Sequence, residues 1–133
     1  MSKIKFVTCC LFIVLIMFSC SDEQDGKWDD NIKLSTKTIT MPASKSSFTV
    51  NTQSTNYWVD AISFNGEVAD LSQIDQYSKN WNFESTEYEI ERKEDGKKIA
   101  ITMNANTSGA DRVLIISLQN GNYFDGIRVT QAK

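Results

Sequence analysis

The sequence predicts an all-β chain in which residues 32–133 form a single antiparallel, Ig-like β-sandwich. Short runs that alternate between apolar and polar residues recur along this segment, and that period is typical of half-buried strands. Asp-Gly and Asn-Gly each separate two such runs, and both dipeptides favour tight hairpin turns. The chain has one proline, Pro42, which we expect to close the first strand.

The hairpin prediction is clearest at Asp95-Gly96, because the turn and the pattern agree. A two-residue loop there places the apolar residues of both flanking runs on one face of the sheet. The predicted pairs are Tyr88 with Met103, Ile90 with Ile101, and Arg92 with Ile99.

A second hairpin is predicted at Asn120-Gly121. This loop pairs Leu114 with Ile127 but sets Asp125 opposite Ile116, so we expect a bulge at Asp125-Gly126 to relieve the mismatch. The run before the turn is apolar on both faces, which is typical of a central strand.

Residues 56–64 form another strand, with Trp58, Ile62 and Phe64 on one face and Asp60 interrupting that face. We expect Trp58 in the core, because tryptophan is highly buried on average. A surface position would instead make it a candidate for ligand binding. The predicted core contains Trp58, Ile90, Ile101, Ile116 and Val129.

The segment 69–83 has a different pattern, with apolar residues at helical spacing from Leu71 to Trp81. Asp70 and Gln73 lie three apart, as in a capping box. We expect a short helix or an ordered loop to be inserted there.

Residues 1–19 are expected to form a lipoprotein signal peptide. Lys3 and Lys5 precede the apolar run 6–18, which is shorter than the roughly 20 residues that a spanning helix needs. The alternative is an uncleaved anchor helix, which the acids directly after Cys20 disfavour.

The stretch "MFSC" at 17–20 resembles a bacterial lipobox, although Met17 and Phe18 depart from its usual pattern. The resemblance implies that Cys20 becomes the first mature residue and carries lipid through a thioether. Lipid chains then hold the protein to the membrane, because each buried CH₂ contributes about 0.8 kcal/mol. Residues 20–31 would form the lipidated acidic tether.

The run "SDEQDGKWDD" at 21–30 resembles the acidic export tag of Bacteroidetes surface lipoproteins, with Asp22, Glu23 and Asp25 as its acids. This resemblance implies an outer-membrane protein that faces the cell exterior. Charge runs are also often simply solvated and disordered, and both descriptions can hold together.

Charge and composition disfavour several classes of function. Without residues 1–19, 12 of the 14 basic residues remain against 17 acidic ones, a net charge of −5 that disfavours nucleic acid as a partner. The chain has no histidine, and residues 32–133 have no cysteine, so the commonest bases and nucleophiles are missing. We expect no enzyme activity, no metal and no cofactor, although counting acids does not exclude a paired-carboxylate glycosidase.

Three polar residues flank the later strands. We expect Asn106 to cap a turn, Arg112 to shield a sheet edge and Gln131 to form hydrogen bonds across the last strand.

The order and spacing of three stretches resembles BACON domains, which are Ig-like modules of secreted Bacteroidetes proteins. The stretches are "SFTVNTQSTNYWVDAI" (47–62), "IAITMNANTSGADRVLIISL" (99–118) and "IRVTQ" (127–131). The resemblance covers 37–131, with Trp58 where the family commonly has tryptophan and an unusually long stretch near 65–90. It implies a noncatalytic module that binds carbohydrate or mucin, or that acts as a spacer.

Two functions therefore compete: a glycan-binding surface module, and a structural or assembly subunit that contacts partner proteins at the cell surface. An aromatic and amide cluster favours glycan, because sugar rings stack on aromatic faces while amides bind hydroxyls. The alternative is that Trp81 pins its segment onto the sandwich, so an exposed Trp81 favours glycan and a buried one favours the structural role. The candidate ligand-binding residues are Tyr77, Asn80, Trp81, Asn82 and Tyr123.

Overall fold

The structure is a computed structural model that describes residues 29–133. The predicted signal peptide, the lipidation site Cys20 and the export tag of Asp22, Glu23 and Asp25 lie outside the described residues and stay predictions. Within residues 29–133 the chain forms nine strands and no helix. They are β1 Thr38–Met41, β2 Ser46–Asn51, β3 Trp58–Phe64, β4 Glu67–Val68, β5 Trp81–Glu84, β6 Tyr88–Lys93, β7 Lys98–Met103, β8 Arg112–Asn120 and β9 Tyr123–Gln131.

The strands form two sheets that pack face to face, which confirms the predicted β-sandwich. One sheet has the order β1-β9-β8-β3-β4 and the other the order β2-β7-β6-β5. The pairing of β3 with β8, β8 with β9 and β2 with β7 follows the Ig connectivity. All pairs are antiparallel except β1 with β9, and β8 is the central strand of its sheet as predicted.

The apolar residues of both inner faces form one core. Ile90, Ile101, Ile116 and Val129 are fully buried, as predicted. Other buried apolar side chains include Ile32, Val50, Tyr57, Val59, Ile62, Phe83, Ile99, Met103, Leu114, Leu118 and Ile127. Ile32 shows that the core already includes the chain before β1.

Trp58 is not part of this core, which corrects the prediction. A β-bulge shifts the register of β3 between Val59 and Ala61, so Val59 and Ile62 both face inward. Trp58, one residue before Val59, therefore lies on the outer face and is half-buried there. The extra residue of the bulge is the exposed Asp60, the residue that interrupts the apolar face in the sequence.

The predicted register of the β6–β7 hairpin is confirmed. Tyr88 lies opposite Met103 and Ile90 opposite Ile101. The ladder ends at Lys93 and Lys98, so the loop is longer than two residues. Positive φ angles at Glu94, Asp95 and Gly96 supply the reversal that this tight turn requires.

The predicted register of the β8–β9 hairpin is wrong by two residues. Its loop is Gly121-Asn122, with a φ of 60° at Gly121, which suits a turn that has glycine first. Ile116 then pairs with Ile127 and Leu114 with Val129. The ladder continues through Asp125, which lies opposite Leu118, without the predicted bulge. The Asp125 carboxylate is paired instead with Lys37 and the Tyr123 hydroxyl.

The segment 69–83 contains a loop and a strand rather than a helix. Asp70 accepts a hydrogen bond from the backbone N–H of Ser72 at 2.9 Å, which forms a local turn instead of a helix cap. Leu71 and Ile74 are half-buried against the core, so the apolar spacing reflects loop packing. The loop ends at Trp81, where β5 begins.

The chain before β1 is held to the β8–β9 hairpin by a small charged cluster. The Nζ of Lys37 lies 2.7 Å from Asp125 Oδ2 and 3.6 Å from Asp30 Oδ2. The Tyr123 hydroxyl donates to the same Asp125 oxygen at 2.7 Å. Asp125 faces the inner side of β9, and this pairing compensates for the loss of water around its carboxylate.

This cluster predicts that stability falls in alkaline solution. The hydrogen bond to Asp125 raises the pKa of Lys37 to about 12, and burial, followed by the Asp125 contact, raises the pKa of Tyr123 to about 12. The folded chain holds both protons more tightly than the unfolded chain, so their contribution is intact below about pH 10 and is lost towards pH 12. We expect the urea midpoint to fall across that range.

Tyr123→Phe should make this fall shallower, because one of the two titrating groups is gone. Tyr77→Phe, at a mostly exposed ring, is the matched control and should leave the slope unchanged. If the urea midpoint fell equally steeply with pH in Tyr123→Phe and in the unaltered protein, Tyr123 would not be one of the groups that cause the fall.

Candidate functional site

The residues predicted to bind ligand do not form one surface. Trp81 is only 9% exposed and belongs to the core, next to Phe83 and opposite Arg92. Its ring therefore offers no open face for a sugar, so Trp81 does not supply the exposed ring on which the predicted glycan site depended. The alternative, that Trp81 pins its segment onto the sandwich, matches this packing.

The polar members of that set form hydrogen bonds within the protein. Asn80 donates to the Asp95 side chain at 3.0 Å and accepts from the Asp95 N–H at 3.1 Å, which joins the loop to the β6–β7 turn. Asn82 donates to Glu84 on the same strand. Tyr123 belongs to the charged cluster with Asp125. Tyr77 differs, because its ring is 72% exposed.

Tyr77 lies against Trp58, and the two rings form an aromatic pair on the protein surface. Their centroids are 5.7 Å apart and the planes are inclined by 46°. The sequence did not predict this contact, because 19 positions separate the two residues. Only the packing of the loop against β3 brings the rings together.

The loop that carries Tyr77 is fixed to the bulged end of β3. The Gln76 side chain donates to the Val59 carbonyl at 3.1 Å, and the Val59 N–H donates to the Gln76 carbonyl at 3.4 Å. Asp75 accepts from the Tyr77 N–H at 3.0 Å. These bonds hold the ring in place before any ligand binds, which lowers the entropic cost of binding.

The aromatic pair continues across the outer face of the five-stranded sheet. Trp58 on β3 lies opposite Gln119 on β8, and Gln119 lies opposite Phe124 on β9. Phe124 is 61% exposed. Two strand spacings place Phe124 about 10 Å from Trp58. We call Tyr77, Trp58, Gln119 and Phe124 the aromatic row.

Small residues lie directly beside the aromatic row. The next outward positions on the same three strands are Ala61, Ser117 and Gly126. Ser63, Ile115 and Arg128 occupy the row beyond them. The sheet is therefore low beside the aromatic row, and Ile115 and Arg128 bound the far side of this shallow trough.

The sequence did not reveal Phe124, because the predicted register of the β8–β9 hairpin placed it opposite Ser117. The two-residue correction moves it beside Gln119, in line with Trp58. The available signal was the run Asn120-Gly121-Asn122, which allows either of two turns.

The same fold occurs in a solved structure. The NMR structure of a protein from Bacteroides thetaiotaomicron matches with a TM-score of 0.64 and 18% sequence identity. The match covers 84% of this chain and 93% of that chain. An identity of 18% shows the fold alone. No family model and no curated protein matches the chain, so the resemblance to BACON domains stays a prediction.

The part of the chain that the structure describes has neither a metal centre nor a membrane-crossing helix. Residues 29–133 contain no group of three or more His, Cys, Asp or Glu side chains arranged to hold a metal ion. Within the same range, no helix is long and apolar enough to cross a bilayer.

A buried polar network lies at the end of the sandwich away from the aromatic row. Arg112 is buried there and does not shield an edge, which corrects the prediction. Its Nε and Nη2 donate to Gln131 Oε1 at 3.0 and 2.6 Å, and Nη2 also donates to the Asn104 carbonyl. Gln131 bonds across β8 and β9 as predicted, and Asn106 caps its turn through the Ser108 N–H.

A second buried arginine, Arg92, lies under the loop that carries Tyr77. Its Nη1 and Nη2 each donate at 2.9 Å, to the Ser78 and Thr55 carbonyls respectively. The guanidinium carbon lies 3.9 Å from the centroid of the Tyr57 ring. Arg92 therefore joins the loop, the segment before β3 and the core, and its bond to Ser78 holds the loop one residue after Tyr77.

Proposed function

We propose that the protein is a noncatalytic surface module that binds carbohydrate along the aromatic row. The observation that carries this proposal is the aromatic row, in which Tyr77 from the loop packs on Trp58 of β3, and Gln119 of β8 lies between Trp58 and Phe124 of β9. Exposed apolar side chains that cluster on one face mark interaction sites more often than scattered ones do.

The chemistry of the row suits a sugar chain. The C–H bonds of a pyranose ring carry partial positive charge and meet the negative face of an aromatic ring. Gln119 lies between the aromatic side chains and has both donor and acceptor groups for hydroxyls. The trough beside the row leaves room for the rest of each sugar ring.

The low charge of this face also favours a neutral glycan. Arg128 and Asp60 are exposed near opposite sides of the trough, so no single sign dominates. The resemblance to BACON domains, with its implied carbohydrate or mucin binding, supports the same conclusion, as does the predicted location on the cell exterior.

The second candidate is a structural or assembly subunit that contacts partner proteins. The burial of Trp81 favours it, because the long segment before β5 then serves packing rather than binding. In that case the aromatic row would be a protein contact, and the same variants distinguish the two functions.

A glycan array carrying mucin-type and plant polysaccharides tests the proposal. Tyr77→Ala and Phe124→Ala should each weaken binding at least about tenfold, which corresponds to roughly 1.4 kcal/mol. Both side chains are mostly exposed, so the variants should keep the urea midpoint of the unaltered protein. Trp58→Ala should abolish binding, since this ring lies between the other two.

Val68→Ala is the matched control, because it shortens an exposed apolar side chain away from the row. It should leave glycan binding unchanged. Absence of binding to every glycan, together with crosslinking of the row to a protein on intact cells, would replace the proposal by the structural candidate.

A further inference from the structure

The outer edge of β2 is the least protected of the four sheet edges among residues 29–133. The four-stranded sheet ends at β2 and β5, and the five-stranded sheet ends at β1 and β4. Pro42 directly follows β1, β4 has only two residues, and β5 contains the exposed Glu84. Short strands, prolines and charges are the features that keep sheet edges from pairing. β2 has six residues in a regular register, with no charge, proline or bulge.

Two residues of β2 present free backbone groups at this edge. The Asn51 N–H donates to the Ser35 hydroxyl at 2.9 Å, and the Ser35 N–H donates to the Asn51 carbonyl at 2.9 Å. The Asn51 backbone therefore points away from β7. Backbone direction alternates along an antiparallel strand, so Ser47 and Thr49 point the same way. Their N–H and C=O groups have no partner among the described residues and are available to a further strand.

An apolar row on the inner face of the four-stranded sheet also ends at this edge. Cross-strand pairing connects its members, which in strand order are Phe83, Ile90, Ile101 and Phe48. The first three are at most 4% exposed, whereas Phe48 is 42% exposed. Phe48 therefore lies in line with the core but is open to solvent on the outer side of β2.

We infer that β2 of one chain pairs with β2 of a second copy, antiparallel and about a two-fold axis at Phe48. In this register Ser47 of each copy lies opposite Thr49 of the other, and the two residues exchange both backbone hydrogen bonds. Every free backbone group of Ser47 and Thr49 is then paired. A two-fold axis at Thr49 would instead set Ser47 opposite Asn51, whose backbone groups are already bound to Ser35.

The side chains of β2 suit this self-pairing. The two Phe48 rings lie opposite each other in a pair without direct hydrogen bonds, where the opposing Cα atoms are only about 4.5 Å apart. Such aromatic pairs stabilise neighbouring strands, and this one continues the apolar row into the second copy. The chain is acidic overall, yet residues 46–51 carry no charge, so two copies meet here without like-charge repulsion. The two-fold axis closes the assembly as a dimer.

The pairing places two binding surfaces on one side of the dimer. Because the two-fold axis is perpendicular to the joined sheets, both aromatic rows face roughly the same way. Two linked sites hold a repeating ligand more tightly than either site alone. This consequence rests on the proposed function, whereas the pairing of β2 does not, and the pairing is measured without any glycan.

Analytical ultracentrifugation of the chain without residues 1–19 and with Cys20→Ser, which keeps the whole described domain, measures the pairing. The surface that two short strands share is small, so we expect a dimer that forms between about 0.1 and 1 mM protein. Phe48→Lys sets two ammonium groups opposite each other and should raise the dissociation constant at least about tenfold. Val68→Lys introduces the same charge at an exposed apolar position on β4 and should leave the dimer unchanged.

Disulfide crosslinking tests the register, because Cys20→Ser leaves no thiol in this chain. Phe48→Cys should form a linked dimer when copper–phenanthroline and oxygen oxidise the two thiols, since the opposing Cα atoms lie within the distance that a disulfide spans. Thr49→Cys, on the other face of β2, and Val68→Cys should crosslink at least about tenfold more slowly. A monomer at about 1 mM protein or a dimer unaffected by Phe48→Lys would overturn the inference. Crosslinking of Thr49→Cys or Val68→Cys as fast as that of Phe48→Cys would overturn it as well.

Discussion

Arg92→Ala should lower the free energy of unfolding by about 3–5 kcal/mol, as large truncations in cores do. The change removes two charge-assisted hydrogen bonds, to the Ser78 and Thr55 carbonyls, and leaves a cavity beside the Tyr57 ring. Because natural domains have about 5–15 kcal/mol of total stability, this loss would unfold a substantial fraction of the protein. Urea denaturation followed by tryptophan fluorescence measures it.

Arg92→Lys should recover little, because one ammonium group cannot reproduce the planar fork that reaches both carbonyls. Arg128→Ala is the matched control at an exposed position on β9, and it should stay within about 0.5 kcal/mol of the unaltered protein. A urea midpoint for Arg92→Ala equal to that of Arg128→Ala would show that the buried guanidinium adds no net stability.

Gln131→Leu should cost about 2–4 kcal/mol, because it leaves the buried Arg112 without its side-chain acceptor. The glutamine is fully buried and also donates to the Asn104 carbonyl at 2.9 Å, so the leucine leaves that carbonyl with one bond fewer. Thermal and urea unfolding of the purified variant measure the loss.

Gln53→Leu makes the same chemical change at an exposed position and serves as the control. The double variant Arg112→Leu/Gln131→Leu should be more stable than Gln131→Leu alone, since no unpaired charge stays buried. A double variant that is less stable by the sum of both single losses would contradict this account.

The sequence predicted the sandwich because alternation and turn chemistry agreed over most strands. In the β6–β7 hairpin the pattern placed Tyr88, Ile90 and Arg92 on one face, and the structure places all three inward. The alternation in the sequence thus predicted that Arg92 faces inward. It did not predict the hydrogen bonds of Arg92, because the two carbonyls that it binds lie 14 and 37 residues away in the chain.

The face of β3 could not be predicted, because the strand has apolar residues on both faces. Alternation alone placed Trp58 with Ile62, and the bulge at Asp60 separates them. The contact that favours the bulge comes from Gln76 in a distant loop. The alternation of apolar and polar residues therefore predicts which face a side chain occupies only where the strand pairing has no bulge.

The β8–β9 register failed for a related reason. A shift of two residues keeps every side chain on its original face, so the apolar pattern cannot distinguish the two pairings. Only the packing of Ile116 opposite Ile127 decides between them. The candidate site depends on this detail, because the register aligns Phe124 with Trp58.

The parallel pairing of β1 with β9 determines how the domain bears a mechanical load. With a lipid anchor at Cys20, as the sequence predicts, a pull on the tether acts first on residues 30–37, which Ile32 and Lys37 hold to the sandwich, and then on β1. Thr38 to Met41 lie beside Arg128 to Gln131 in the same direction, so their hydrogen bonds lie across the line of force. A load that reaches β1 along the strand must therefore break these hydrogen bonds together rather than one after another.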